Sequence, residues 1–241
     1  MEEALPILEY LPLSFKSEEE QAYIGFLWDA FASNYENEKY QFAFLAFHML
    51  TMSFVYCNVW QIKNILADDF SKAMVGFHKE TEKELMQATT PFTFSRVNES
   101  SIFRFLKLIG CDNGRIGQYT KLVKDRNDVA HPNGNIYYNS AVALDQKIGR
   151  TLHLIDQIEQ QSAPLILRCY EAFLLESHNP EEREYIDEAD QIREALIHRN
   201  YLSKKDIEIC MGFDIDRLNS DPHFETMRSL HELLVERYQV E

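Results

Sequence analysis

A chain of 241 residues, 45% hydrophobic and 12% aromatic, can bury a core without disulfides, and eight glycines and seven prolines are too few for a turn-rich all-β or low-complexity chain. The formal charge of −15 excludes an unspecific grip on nucleic acid or an anionic membrane, so any contact with phosphate has to be local. Cys57, Cys111, Cys169 and Cys210 are far apart, with no C-x-x-C pair or zinc spacing, and the N-terminus is acidic without a signal-type apolar core. Together these features predict buried thiols in a reducing cytoplasm, with no cofactor and no metal.

Residues 1–16 contain two prolines and alternate apolar with other residues, which predicts an extended N-terminal arm packed on a neighbour. Ser17 followed by Glu20 is a capping-box signature for a helix over about 17–34. A second helix is expected over about 38–66, with Tyr40, Phe44, Phe47 and Phe54 at helical spacing. Its segment 41–62 carries no charge and is long enough to span a bilayer. The polar residues Gln41, His48, Thr51, Ser53, Asn58 and Gln61 and the lack of a basic flank favour a buried core helix and no membrane. His48, set among Phe47, Met49 and Leu50, reads as a hydrogen-bonded core histidine.

Helical pattern continues over about 70–86 and breaks into a loop at Thr89-Thr90-Pro91. Shorter helices are expected over 95–109 and 115–130, the latter stopped by Pro132-Asn133-Gly134. An amphipathic helix over 141–161 is expected to end before Pro164, which places a domain boundary near Ser162. Beyond a helix over 165–177, the remainder predicts helices over about 180–199, 203–211 (Ser203 with Asp206 as a cap) and 222–238. The acidic stretch 176–194 reads as a solvated face. The fold class is all-α in three parts: the arm 1–16, a helical domain 17–162 and a helical extension 163–241.

The chemistry concentrates in KDRNDVAHPNG. Arg126 and His131 are separated by four residues, a spacing that Arg193 and His198 share, so spacing alone is uninformative. Context separates the pairs: Asn127 follows Arg126, and a helix-stopping Pro-Asn-Gly follows His131, whereas Glu194 follows Arg193. On a helical projection Arg126 falls in an apolar stripe of Ile116, Tyr119, Leu122, Val123, Val129 and Ala130, where a guanidinium needs an anion. That anion is either a carboxylate from another helix or a ligand. His131 is expected at the helix C-terminus, where the dipole favours positive charge; it suits either acid/base work or simple capping. Asn127 can share its face. From Arg104 to Arg126 six basic residues stand against two acidic ones, and Arg115, Lys121 and Lys124 are the candidate RNA contacts. The bland reading of that cluster is a solvated face.

RNDVAH, at a helix end in an all-helical domain with aromatic-rich early helices, resembles the R-x4-6-H motif of the HEPN superfamily. Arg126, Asn127 and His131 match it residue by residue, over a resemblance covering about 17–162. It implies a HEPN-like bundle with additional C-terminal helices and a metal-independent endoribonuclease acting on single-stranded RNA, tRNA or mRNA. It further implies a homodimer placing two Arg/His motifs together, in a toxin or antiviral defence setting with an antitoxin or other defence partner. The Tyr often found two residues after the His is Asn133 here, which departs from the antitoxin-regulated members. The alternative is a non-catalytic helical interaction or nucleotide-binding subunit. No Gly-rich phosphate loop, G-x-S-x-G or H-E-x-x-H supports an ATPase, a serine hydrolase or a zinc protease.

Overall fold

The computed structural model describes residues 1–239, and among them the fold is all-α, with a single isolated bridge between Pro12 and Ser203 as its only β pairing. Helix α1 (Glu18–Glu36) opens at Ser17, whose hydroxyl accepts from the Glu20 N–H at 3.2 Å. The Glu20 carboxylate does not close the box; it accepts from the Lys16 N–H, from Thr90 and from Tyr201. Helix α1 packs on α2 (Tyr40–Ile65), with Phe31 and Phe47 ring centroids 5.8 Å apart.

Helix α2 is the centre of the molecule. Its most apolar window is 83% buried against the rest of the chain, as expected of a core helix. Its polar residues have partners there: Thr51 and Ser53 donate to carbonyls one turn back, Asn58 accepts from Ser162, and Gln61 donates to Asp206. Buried polar groups are tolerated on these terms.

The N-terminal segment is not extended as the prolines suggest. Glu2–Glu9 forms a 3-10 helix with Pro6 inside it, because Ala4, Ile7 and Leu11 lie at helical spacing and bury one face on the core. Beyond it the Leu13 N–H donates to the Leu202 carbonyl at 3.0 Å, so the segment ties the N-terminal residues to the turn before residue 204.

The helix expected over 70–86 is divided into α3 (Ala67–Ala73) and α4 (Lys79–Met86) by a left-handed turn at Gly76, whose φ is +96°. The loop at Pro91 becomes a 3-10 helix, Pro91–Arg96. Residues 95–109 give α5 (Glu99–Ile102) and a 3-10 helix, Phe103–Ile109, that ends at Gly110 with φ +90°. Helix α6 (Asn113–Ala130) follows the predicted span, capped by Asp112.

Helix α7 (Ala141–Ser177) runs through Pro164 without a break. Both Pro164 and Gln160, whose carbonyl loses its donor to the ring, lie on the exposed side where water replaces the missing bond. The division expected near Ser162 is therefore one of packing and not of backbone. Leu144, Ile148, Ile155 and Leu165 belong to the core around α2, while Ile166, Tyr170 and Leu174 belong to a second core.

That second core is built with α8 (Glu188–Asp190), a π-helix (Gln191–His198), α9 (Lys204–Met211) and α10 (Phe224–Tyr238). The helix expected from Pro180 begins only at Glu188, because Arg183 turns inward and donates to the Ser177 carbonyl at 2.6 Å instead of leaving 180–187 free to wind. Ser203 and Asp206 form the capping box expected of them.

Candidate functional site

Helix α6 positions every residue singled out by the motif. It ends where Pro132 cannot continue it; His131 is the C-cap, with φ −87° and ψ 141°, and its N–H donates to the Asn127 carbonyl at 3.0 Å. The following loop is pinned. Asn133 donates to the Asp128 carbonyl at 2.7 Å and to the Tyr137 hydroxyl at 2.8 Å, and Gln41 of α2 accepts from the Tyr137 N–H. The Tyr138 ring packs on Phe44, tilted by 43° with centroids 4.8 Å apart. Asn133, the position that departs from the HEPN pattern, thus organises the turn behind His131.

Turning about 100° per residue, the helix puts Lys121, Lys124, Asn127 and His131 on one side and Arg115 and Arg126 on the other. Exposure agrees: Lys121, Lys124 and His131 face solvent, Asn127 is half-buried, and Arg115 and Arg126 lie on the side of the buried Tyr119, Leu122 and Val129. Ala130, placed in the apolar stripe by projection, is exposed, although Val129 before it is buried on the α2 side. Asp128 is the acidic residue on the outer side.

Arg126 meets a carboxylate from another helix. Its Nη2 lies 2.7 Å from Oε2 of Glu99, the first residue of α5, and the same oxygen is 3.1 Å from Nε2 of His48 on α2. His48 is 4% exposed and Glu99 and Arg126 are partly screened, so this is a network at the edge of the core. Burial opposes ionisation of Glu99, but the hydrogen bonds and charges of His48 and Arg126 outweigh it and hold the carboxyl below the ordinary range. Tyr56 beside it is pushed up by burial and by the Glu99 charge.

The structure therefore separates the two motif residues within one chain. Arg126 joins Glu99 and His48, while His131 stands outside with Lys124 and Asn127. Glu99 carried no signal in the sequence, since its role depends on α5 crossing α6. His48 was legible as a hydrogen-bonded core histidine but not as a partner of Arg126's carboxylate. The control pair behaves differently: Arg193 lies on the π-helix and pairs with Asp190 and Glu194 at the surface. Comparison with family models, curated proteins and solved structures gives no significant match.

Proposed function

We propose that the chain is a metal-independent endoribonuclease acting on single-stranded RNA, with His131 as its acid/base group. The observation that carries this reading is the outer side of α6, where an exposed imidazole stands with the cations Lys121 and Lys124 and the amide of Asn127. In a molecule of charge −15 such a face is where a phosphodiester can be held locally.

In this reaction the ribose 2′-oxygen attacks the adjacent phosphorus and gives its proton to His131. The bond from phosphorus to the 5′-oxygen breaks, and that oxygen takes a proton from a second imidazolium. The products carry a 2′,3′-cyclic phosphate and a 5′-hydroxyl. One chain supplies one such histidine, so the second comes from another copy, and the active form is a homodimer. Glu99 engages one nitrogen of Arg126, which leaves guanidinium donors for charge on the phosphate. Arg115 is the outlying cation of this reading, on the inner side of α6. The four free cysteines fit a reducing cytoplasm, in a toxin or defence system with a partner that restrains the activity.

A second reading is favoured by the Arg126–Glu99 contact itself. A guanidinium held in an ion pair by a carboxylate acts as a structural element, and the protein is then a non-catalytic interaction or nucleotide-binding subunit. Gel-resolved cleavage of total RNA in EDTA, by the wild type and by folded His131→Ala and Arg126→Ala variants, separates the readings. Loss of cutting in His131→Ala supports the ribonuclease. Cutting that survives in His131→Ala removes His131 from the chemistry, and an inert wild type leaves the interaction subunit.

A further inference from the structure

A cavity of about 510 Å³ opens between α1, α2 and the segment 90–99, with Glu99 in its wall and Arg126 outside its lining. Its walls are the aromatic rings of Tyr23, Tyr56 and Phe92 together with Met49 and Met52, and no lysine or arginine lines it. Its charged groups are the carboxylates of Glu19, Glu20 and Glu99.

Those carboxylates differ in what they have left to accept. Glu20 is engaged on both oxygens, by Thr90 on one and by Tyr201 and the Lys16 N–H on the other. Glu19 sits at the rim, exposed, with Ser17 as its neighbour. Glu99 receives both His48 and Arg126 on Oε2 alone. Its Oε1 has no hydrogen-bond partner among the described residues, and Glu99 lines a cavity whose walls offer aromatic faces. Tyr23 and Met49 remain 37% and 43% exposed, so an apolar body would gain by covering them.

We infer that this cavity is a binding site for a small organic amine with an apolar body, its ammonium group on Oε1 of Glu99 and its body against Tyr23, Tyr56 and Phe92. The occupant is fixed by charge complementarity. An anion meets three carboxylates and no lysine or arginine in the walls, a neutral apolar molecule leaves Oε1 unused, and an ammonium gains the negative faces of the rings and a carboxylate whose charge Arg126 offsets only from Oε2. The volume is that of a small-molecule pocket. The site is independent of the ribonuclease reading, although it shares Glu99 with Arg126.

The probe is phenethylamine, set against 2-phenylethanol, which has nearly the same shape without the charge, by titration calorimetry on the full chain at low salt. A ligand of this size is expected to bind in the sub-millimolar to millimolar range, roughly 10-fold or more tighter as the amine, and more weakly as salt is added. Ser95→Trp, on the exposed rim, is expected to reduce amine binding by about 10-fold through blockage; because it also removes the Ser95 hydroxyl bond to the Phe92 carbonyl, its folding is checked by circular dichroism. Equal affinity for the two probes overturns the proposal, as does the absence of saturable amine binding up to roughly 10 mM or binding indifferent to a folded Ser95→Trp variant.

Discussion

Arg126 and Glu99 meet at 2.7 Å across the crossing of α6 and α5, and His48 reaches the same carboxylate oxygen from α2. One carboxylate thereby links the motif helix to the central helix. Removing it leaves a partly buried guanidinium without its anion, so Glu99→Ala is expected to cost about 1–3 kcal/mol in urea unfolding, discounted for the exposure of both side chains. A double-mutant cycle with Arg126→Ala should return a favourable coupling; additive losses would show that the two do not interact.

The same carboxyl sets a pH dependence. Its folded pKa is depressed below the unfolded one, so its contribution is present above the unfolded value of about 4.3 and is lost as pH falls through the folded value. Glu99→Gln should flatten this part of the acid limb in thermal melts as pH falls below about 5. An acid limb identical to the wild type would remove Glu99 as its source.

A second pair of carboxyls has the opposite sign. Glu159 of α7 and Asp206 of α9 are buried together and in hydrogen-bond contact, where Gln61 donates to Asp206. Burial first, and then the Asp206 charge, raises Glu159 well above the usual carboxyl range; Asp206 is also raised by burial, against the hydrogen bonds from Ser203 and Gln61. Asp156 adds to the rise and Lys205 opposes it. A raised folded pKa gives stability that is complete below the unfolded value near 4.3 and is lost as pH rises through the folded one. Glu159→Gln, which cannot ionise, is expected to stabilise the protein by about 1–3 kcal/mol at alkaline pH and by little at pH 4. A gain that does not grow with pH would falsify this assignment.

Lys121 and Lys124 are exposed on the His131 side of α6, and each ion-paired phosphate contributes to the salt dependence of RNA binding. Substituting either by Ala should weaken binding of single-stranded RNA without unfolding the chain and lower the slope of log K against log salt by about 0.7. Arg115→Ala, on the inner side of α6, should change that slope less. If Arg115→Ala has the larger effect, RNA binds the opposite face.

Pro164 lies within a continuous helix and not at its end. Pro164→Ala restores the hydrogen bond to Gln160 on the exposed side and should stabilise the protein by about 1–3 kcal/mol. No gain would mean that the helix is interrupted there in solution.

Periodicity and capping residues made the helices legible where a single face decided the matter. The aromatic stripe of α2, the Asp112 cap and Pro132 stop of α6, and the Ser203–Asp206 box are local signals, and helices form on local hydrogen bonds. His131 at a helix end was legible for the same reason. Pro6 and Pro164 misled, because proline is costly in a helix interior but tolerated where tertiary burial of the neighbouring turns outweighs the lost bond, as Ala4 and Ile7 or Leu165 and Ile166 show. The partner of Arg126 was beyond the sequence. A guanidinium in an apolar stripe requires an anion, but which of 39 acidic residues supplies it depends on how α5 crosses α6, a relation between segments 27 residues apart. What the sequence by itself determined were the helices and the residues available at their ends. Only the tertiary structure decided that Arg126 faces inward to Glu99 while His131 faces out, because the direction of a side chain follows from which side of its helix the core covers.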